Sequence, residues 1–280
     1  MKARVLVQAR FNRSSQLLIF GLCALAFAIP VRQLPAGVPA DQSSADGWTA
    51  AWTNPLTPQE KSRADLINRL VAAKKSHDFG PVLAQYERMA REHPDDIFAA
   101  TALFAIHAVM KNYGDCLADL DRIDAIARKA GAPAVRFAYT DYLRGMIHQY
   151  QHDYSAQAAD LERALNKDPT LHNALNDLAW LRATNPDPKL QNADQALQLA
   201  KQSVKIAGRH FRNVDTLAAA YAAKGDYSRA ASIEKEAITL IGQNSTNAQK
   251  SANYLKGANA RLDLYTHNEP DRETPPDPPS

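Results

Sequence analysis

The side chains of this 280-residue chain whose spacing best suits chemistry are two histidines. His148 and His152 lie four apart with Asp153 beside the second, so on one helix they offer two ring nitrogens to a metal ion, with no third donor placed beside them. The carboxylate pairs Asp95-Asp96 and Asp119 with Asp121 fall at turns or on solvent faces, where they cap or solvate. No HExxH, GxSxG, paired CxxC or phosphate-cradling glycine loop occurs. The sequence is therefore read as that of a non-enzyme without cofactor or metal, the alternative being a weak metal-dependent enzyme using His148 and His152.

What any of these residues can reach depends on the helices that carry them. Thr57, Pro58 and Glu60 read as a cap, a first-turn proline and a capping box, and Leu66, Leu70 and Ala73 follow as one apolar stripe. His77 to Gly80 reads as a turn, and Val82, Tyr86 and Met89 continue on a second helix until Pro94. An offset of 34 residues brings the order back, with Ala100, Leu103, Phe104 and His107, then Tyr113 and Gly114, then Cys116, Leu120 and Ile123. After a seven-residue insertion at 131–137, Gly145 takes the small slot, His148 the aromatic slot, Asp153-Tyr154 the turn, and Leu161 and Ala164 the second helix. His148 thus stands where His107 and Tyr221 stand in their own pairs, and packing accounts for it without a ligand. The fourth pair carries Leu175, Leu178 and Ala179. Pro186 and Pro188 then end its first helix near Thr184, before Ala196, Ala200 and Val204 restore the second. In the fifth, Leu217, Ala218 and Tyr221 precede Gly225-Asp226, after which come Tyr227, Ala230, Ala237 and Ile238. Glu234 departs from the pattern by standing where an apolar side chain is usual. Gly208, Gly225 and Gly242, at steps of 17, read as left-handed helix closers.

A helix, a tight turn and a second helix recurring about every 34 residues, with leucine, a small residue and an aromatic on the first helix and alanines on the second, resembles the tetratricopeptide repeat family. The stretch LAWLRATNPDP followed by DTLAAAYAAKGDY carries the resemblance most specifically, over about 60 residues; the repeats before Ala138 match by slot. The resemblance implies an all-α, right-handed superhelical solenoid over 57–265, with about five repeats near 63–96, 97–130, 138–171, 172–210 and 211–244. An amphipathic helix over 248–265, with Tyr254, Leu255, Leu262 and Leu264, would cap the open apolar end. The tail at 266–280 has five prolines and no apolar stripe, and is expected to be disordered.

In this family the first helices line a concave groove. That implies a set of groove-facing residues here: Tyr139, Tyr142 and Tyr150 from the third repeat, Asn173, Asn176 and Trp180 from the fourth, and Arg212 and Asp215 from the fifth. Rings bury area at small entropic cost and amides bond a peptide backbone, so the implied partner is a protein or an extended peptide. Filling of gaps between neighbouring repeats by Tyr142 or Trp180 is the other reading of the same positions. The basic and asparagine set that some members use to clamp a C-terminal carboxylate is not present at the matching slots.

The formal charge of +3 arises at one end: five of the 33 basic residues and none of the 30 acidic ones lie in 1–40, leaving 28 against 30 beyond it. A mixed, near-neutral surface of that kind argues against nucleic acid as a partner. Lys2, Arg4, Arg10 and Arg13 precede the apolar run 17–31, which reads as an export signal. At fifteen residues the run is shorter than a comfortable span of about 20. A cleaved signal over 1–40 and an uncleaved inner-membrane anchor are both open, and either places the rest of the chain in the periplasm. Leu22 before Cys23 argues against a lipoprotein signal. Cys116 is then the one cysteine left, so no intramolecular disulfide forms, and packing explains it. In the linker 41–56, Trp48 and Trp52 would dock on the first repeat or meet a partner. The function implied is that of an exported scaffold, an adaptor in bacterial envelope assembly, secretion or maturation. An accessory subunit of an envelope enzyme system is the alternative.

Overall fold

The stripe Leu66, Leu70 and Ala73 lies along α1 (Pro58–Ser76) and is buried against Val82, Tyr86 and Ala90 of α2 (Gly80–Glu92). This computed structural model describes residues 58–243 and 248–272. Among the described residues there are eleven helices and no strand, an all-α helical repeat solenoid that divides into two compact units, one within Ser14–Gly131 and one holding Ala132–Ser280. The run 17–31 read as an export signal, the linker with Trp48 and Trp52, the expected cap Thr57 and residues 273–280 lie outside the described residues. No described helix is long and apolar enough to cross a membrane.

In the first unit α1 and α2 are followed by α3 (Ile97–Met110) and α4 (Tyr113–Lys129). Pro94 precedes the turn, and Asp96 accepts from the Phe98 and Ala99 amides to cap α3. The run from Ala99 to Ala108 is buried on every side, which is why its apolar residues show no single stripe. Cys116 of α4 is buried, and burial, then the nearby Asp119 and Asp115 carboxylates, push its thiol up to about 12, so it stays a protonated packing group.

The second unit stacks α5 (Arg136–Tyr150) on α6 (Tyr154–Lys167), α7 (His172–Thr184) on α8 (Ala193–Ala207), and α9 (Phe211–Ala223) on α10 (Tyr227–Gln243), with α11 (Ala248–Thr266) against α10. Small residues set the spacing. A Cβ at Gly145 would stand 3.3 Å from Leu161 Cγ and 3.4 Å from the Gln157 carbonyl oxygen, so a larger residue there requires α6 to give by a few tenths of an ångström. Between α7 and α9 the core is mostly alanine, with Ala179, Ala183, Ala219 and Ala220 around Trp180 and Leu217. Helix α7 ends at Thr184, where the two prolines require it. The long loop that follows is tied back, Arg182 donating to the Leu190 carbonyl at 3.0 Å and the Asn192 amide to the Arg182 carbonyl at 2.9 Å.

The turn inside four of the five helix pairs has a recurring geometry that residue type conceals. His77, Lys111, His152 and Gly225 all take positive φ, at 58°, 60°, 61° and 80°. His152 is thus the left-handed residue that ends the α5 turn. Gly208 and Gly225 take positive φ, Gly208 with an extended ψ of −178° instead of the left-handed helical one, but Gly242 lies inside the last turn of α10 and closes nothing, because the helix runs on to Gln243. Lys111 is exposed, so its side chain contributes little where its backbone is strained. Lys111→Gly is expected to raise the unfolding free energy by about 0.5–1 kcal/mol, the left-handed penalty less the entropy that glycine loses on folding. Urea denaturation measures it, and a destabilised variant would show that the turn carries no such strain.

Candidate binding face and its buried arginine

Helices α5, α7 and α9 share one face of the second unit, and six of the eight sequence-selected residues meet along it. Tyr139 and Tyr142 of α5 bring their rings to 5.8 Å, and the Tyr142 hydroxyl donates to Asp177 Oδ2 of α7 at 3.3 Å. Asn176 Nδ2 donates to the other Asp177 oxygen at 3.3 Å, and Arg212 of α9 lies 3.9 Å from it. Burial opposes the Arg212 charge, but Asp177, then Tyr142, Tyr254 and Asp215, outweigh it and raise its pKa. Asp215, one turn further along α9, carries the seam to Arg261 and Trp180. Tyr150 is half-buried at the end of α5, and Asn173 is exposed in the first turn of α7; neither joins the seam.

The open groove expected for these eight residues is corrected in one respect: four of them are buried, Tyr142 and Trp180 as in the gap-filling reading. Tyr142 is 2 % exposed, Trp180 4 % and Asp215 6 %, and Asn176 is equally enclosed. At Asp215 and Trp180 the C-terminal segment supplies part of the cover. Tyr254 of α11 packs on Phe211 of α9 with ring centroids 4.8 Å apart, and Tyr265 is enclosed by Ala218, Ala222 and Ala230. Between them Arg261 reaches inward: its Nε lies 2.7 Å from Asp215 Oδ1 and 3.3 Å from Glu234 Oε1, and its guanidinium stands over the Trp180 ring at 5.5 Å. Residues 267–272, expected to be disordered, continue this cover. Arg272 donates to the Ala183 carbonyl at the end of α7 at 3.1 Å, and Asp271 is buried beside the arginine. Hydrogen bonds and charge, not apolar periodicity, place them.

Electrostatics make this the most perturbed region described. Glu234 is fully buried; burial, then Asp215, hold its carboxyl well above the usual range, with Arg261 pulling the other way and Asp271 adding to the rise. Burial opposes the charge on Arg261, yet Asp215, Glu234 and Asp271 outweigh it, so the guanidinium stays a cation. Burial, followed by Glu234 and Asp271, also pushes the Tyr265 phenol well up. Sequence reasoning singled out Glu234 as out of place and had no signal for Asp177, Arg261 or Asp271.

The histidines are arranged otherwise than a metal needs. His148 Nδ1 is 2.6 Å from Asp160 Oδ2 of α6, and His152, at the turn, stands beside Tyr154. In the first unit His107 Nδ1 makes the same 2.6 Å contact with Asp119 of α4. Among the described residues no three of His, Cys, Asp or Glu are grouped to hold a metal ion. The two imidazoles are nevertheless driven apart. For His107 burial is the largest influence and lowers its pKa, but the Asp119 hydrogen bond and the carboxylates of Asp119, Asp115 and Glu87 together raise it. For His148 burial lowers it, Asp153 opposes, and Arg163 and Arg144 add to the lowering, Arg163 pairing with the same Asp160. An NMR titration is expected to place His107 above the ordinary value of about 6.5 and His148 below it. By linkage, the His107 contribution to stability is complete below the unfolded value and lost as pH rises through the folded one. The His148 contribution is present above the unfolded value and lost as pH falls through the folded one. Shifts of equal sign would contradict this assignment.

No protein-family model matches the chain, and no curated protein does. Among solved structures, a crystal structure of MamA is similar at 16% identity and a TM-score of 0.49, covering 63% of this chain and 96% of that one. A second MamA crystal structure is similar at 15% identity and a TM-score of 0.48, covering 66% and 94%.

Proposed function

We propose that the chain is a scaffold that holds a protein partner on the face formed by α5, α7 and α9. The observation that carries this reading is the convergence of Tyr139, Tyr142, Asn176, Trp180, Arg212 and Asp215 into one polar and aromatic seam. Side chains of that kind, held on packed helices rather than on loops, recognise polypeptide with little loss of rotamer entropy. In the same reading the basic start and the run 17–31 direct export, and the scaffold serves as an adaptor in envelope assembly, secretion or maturation.

A photoreactive amino acid at exposed Asn173, one turn before Asn176 on α7, tests the surface in living cells. A discrete crosslinked species from position 173, and none from exposed Lys205 on the second-helix side, is the expected result. Identical patterns from both positions, or no adduct from 173, would reject the face. Export is checked separately by fusing a reporter that works only in the cytoplasm after Ser280; strong reporter activity would reject that part.

A further inference from the structure

Carboxylates and guanidiniums are packed closely in the seam. Among the described residues, Asp177, Asp215, Glu234 and Asp271 are gathered around the two guanidiniums of Arg212 and Arg261. Arg261 reaches Asp215 Oδ1 and Glu234 Oε1 with Nε, and to Glu234 it makes no two-bond fork, since Oε2 is left over. Glu234 Oε2 and the Tyr265 hydroxyl, both buried, have no hydrogen-bond partner among the described residues. The enclosure is nonetheless shaped for a planar cation, with an indole face on one side and carboxylates on the others, a combination that selects guanidinium over ammonium.

We propose that this enclosure is a receptor for an arginine-bearing helix, occupied in cis by α11, and that a protein partner presenting an arginine on an amphipathic helix displaces α11 and takes its place. The proposal rests on the reading of this face as protein-binding and names the chemistry of the partner. The occupant already in place defines that chemistry: an amphipathic helix lays tyrosines on α9 and α10 and sends one arginine between Trp180, Asp215 and Glu234. A partner arginine that engages Glu234 through its terminal fork makes the stronger two-bond contact and satisfies the oxygen that Arg261 leaves unanswered. Because α11 is tethered, an outside helix competes against an effective concentration on the order of millimolar. Weakening the cis contact therefore strengthens capture in trans.

The probe is a fluorescein-labelled peptide of this chain's own residues 248–272, added to the full-length protein and followed by anisotropy. The peptide is expected to bind the Arg261→Ala protein at least tenfold more tightly than the wild-type protein. A peptide carrying Arg261→Ala is expected to bind that same protein at least tenfold more weakly. If circular dichroism shows the Arg261→Ala protein unfolded, Arg261→Lys, which keeps the charge and loses the planar fork, replaces it with the same two peptides. Equal binding of the two peptides, or no binding of either to a folded variant, overturns the arginine receptor. Failure of the peptides while position 173 still crosslinks in cells removes this inference alone; loss of both removes the binding face as well.

Discussion

Trp180→Ala is expected to lower the unfolding free energy by about 3–5 kcal/mol, the range for removing a buried tryptophan and leaving a cavity. The indole is 4 % exposed and stands among Ala179, Ala183, Ala196, Ala200, Leu217, Ala219 and Ala220. Alanines have no rotamers with which to close a hole, and their helices are held apart by their other contacts, so the cavity persists. The Arg261 guanidinium also loses the ring it stands over. Urea denaturation followed by circular dichroism gives the number, and a loss under about 1 kcal/mol would mean that the site collapses or that Trp180 is not packed as described. As an exposed hot spot, Trp180→Ala would instead have reduced partner capture with melting unchanged. Partner capture by this variant is therefore informative only at temperatures well below its own unfolding transition.

The reason Trp180 could be placed on the right helix face while its exposure stayed open between groove and gap-filling is physical. Periodicity along one helix reports which residues turn the same way, and Leu66, Leu70 and Ala73, or Leu217 and Ala218, are buried as their spacing requires. What lies over that face is decided by contacts remote in sequence: Arg261 reaches Glu234 across 27 residues and Arg272 reaches Ala183 across 89. No local pattern encodes such pairs. Glu234 was visible as an anomaly because a charged residue interrupts an apolar stripe, but its partner is an arginine on an amphipathic helix, where arginine is ordinary. The same limit applies to His148, whose slot was legible and whose Asp160 partner lies on the opposing helix. At the turns, glycine revealed the left-handed position in one pair, whereas His77, Lys111 and His152 adopt it without the residue type that announces it.

Arg261→Ala is expected to be as damaging as the tryptophan deletion, and for an electrostatic reason. Removing the cation leaves Asp215, Glu234 and Asp271 together in an enclosure where each is at most 6 % exposed, and breaking a buried pair by deleting one partner costs about 3–5 kcal/mol. Glu234→Gln should cost much less, because the amide oxygen still accepts from Arg261 and a carboxylate that burial opposes is gone. The two variants also separate by pH. Burial, then Asp215, raise the folded-state pKa of Glu234 above its ordinary value. The folded protein therefore binds the proton more tightly than the unfolded chain. That contribution is complete below the unfolded pKa of about 4.3 and is lost as pH rises through the folded value. Unfolding free energies of wild type and Glu234→Gln, measured in urea from about pH 4 to pH 8, should show the wild type losing ground to the variant as pH rises. A difference that is flat, or that grows in favour of the wild type, would mean that Glu234 is ionised at neutral pH and fully answered by Arg261.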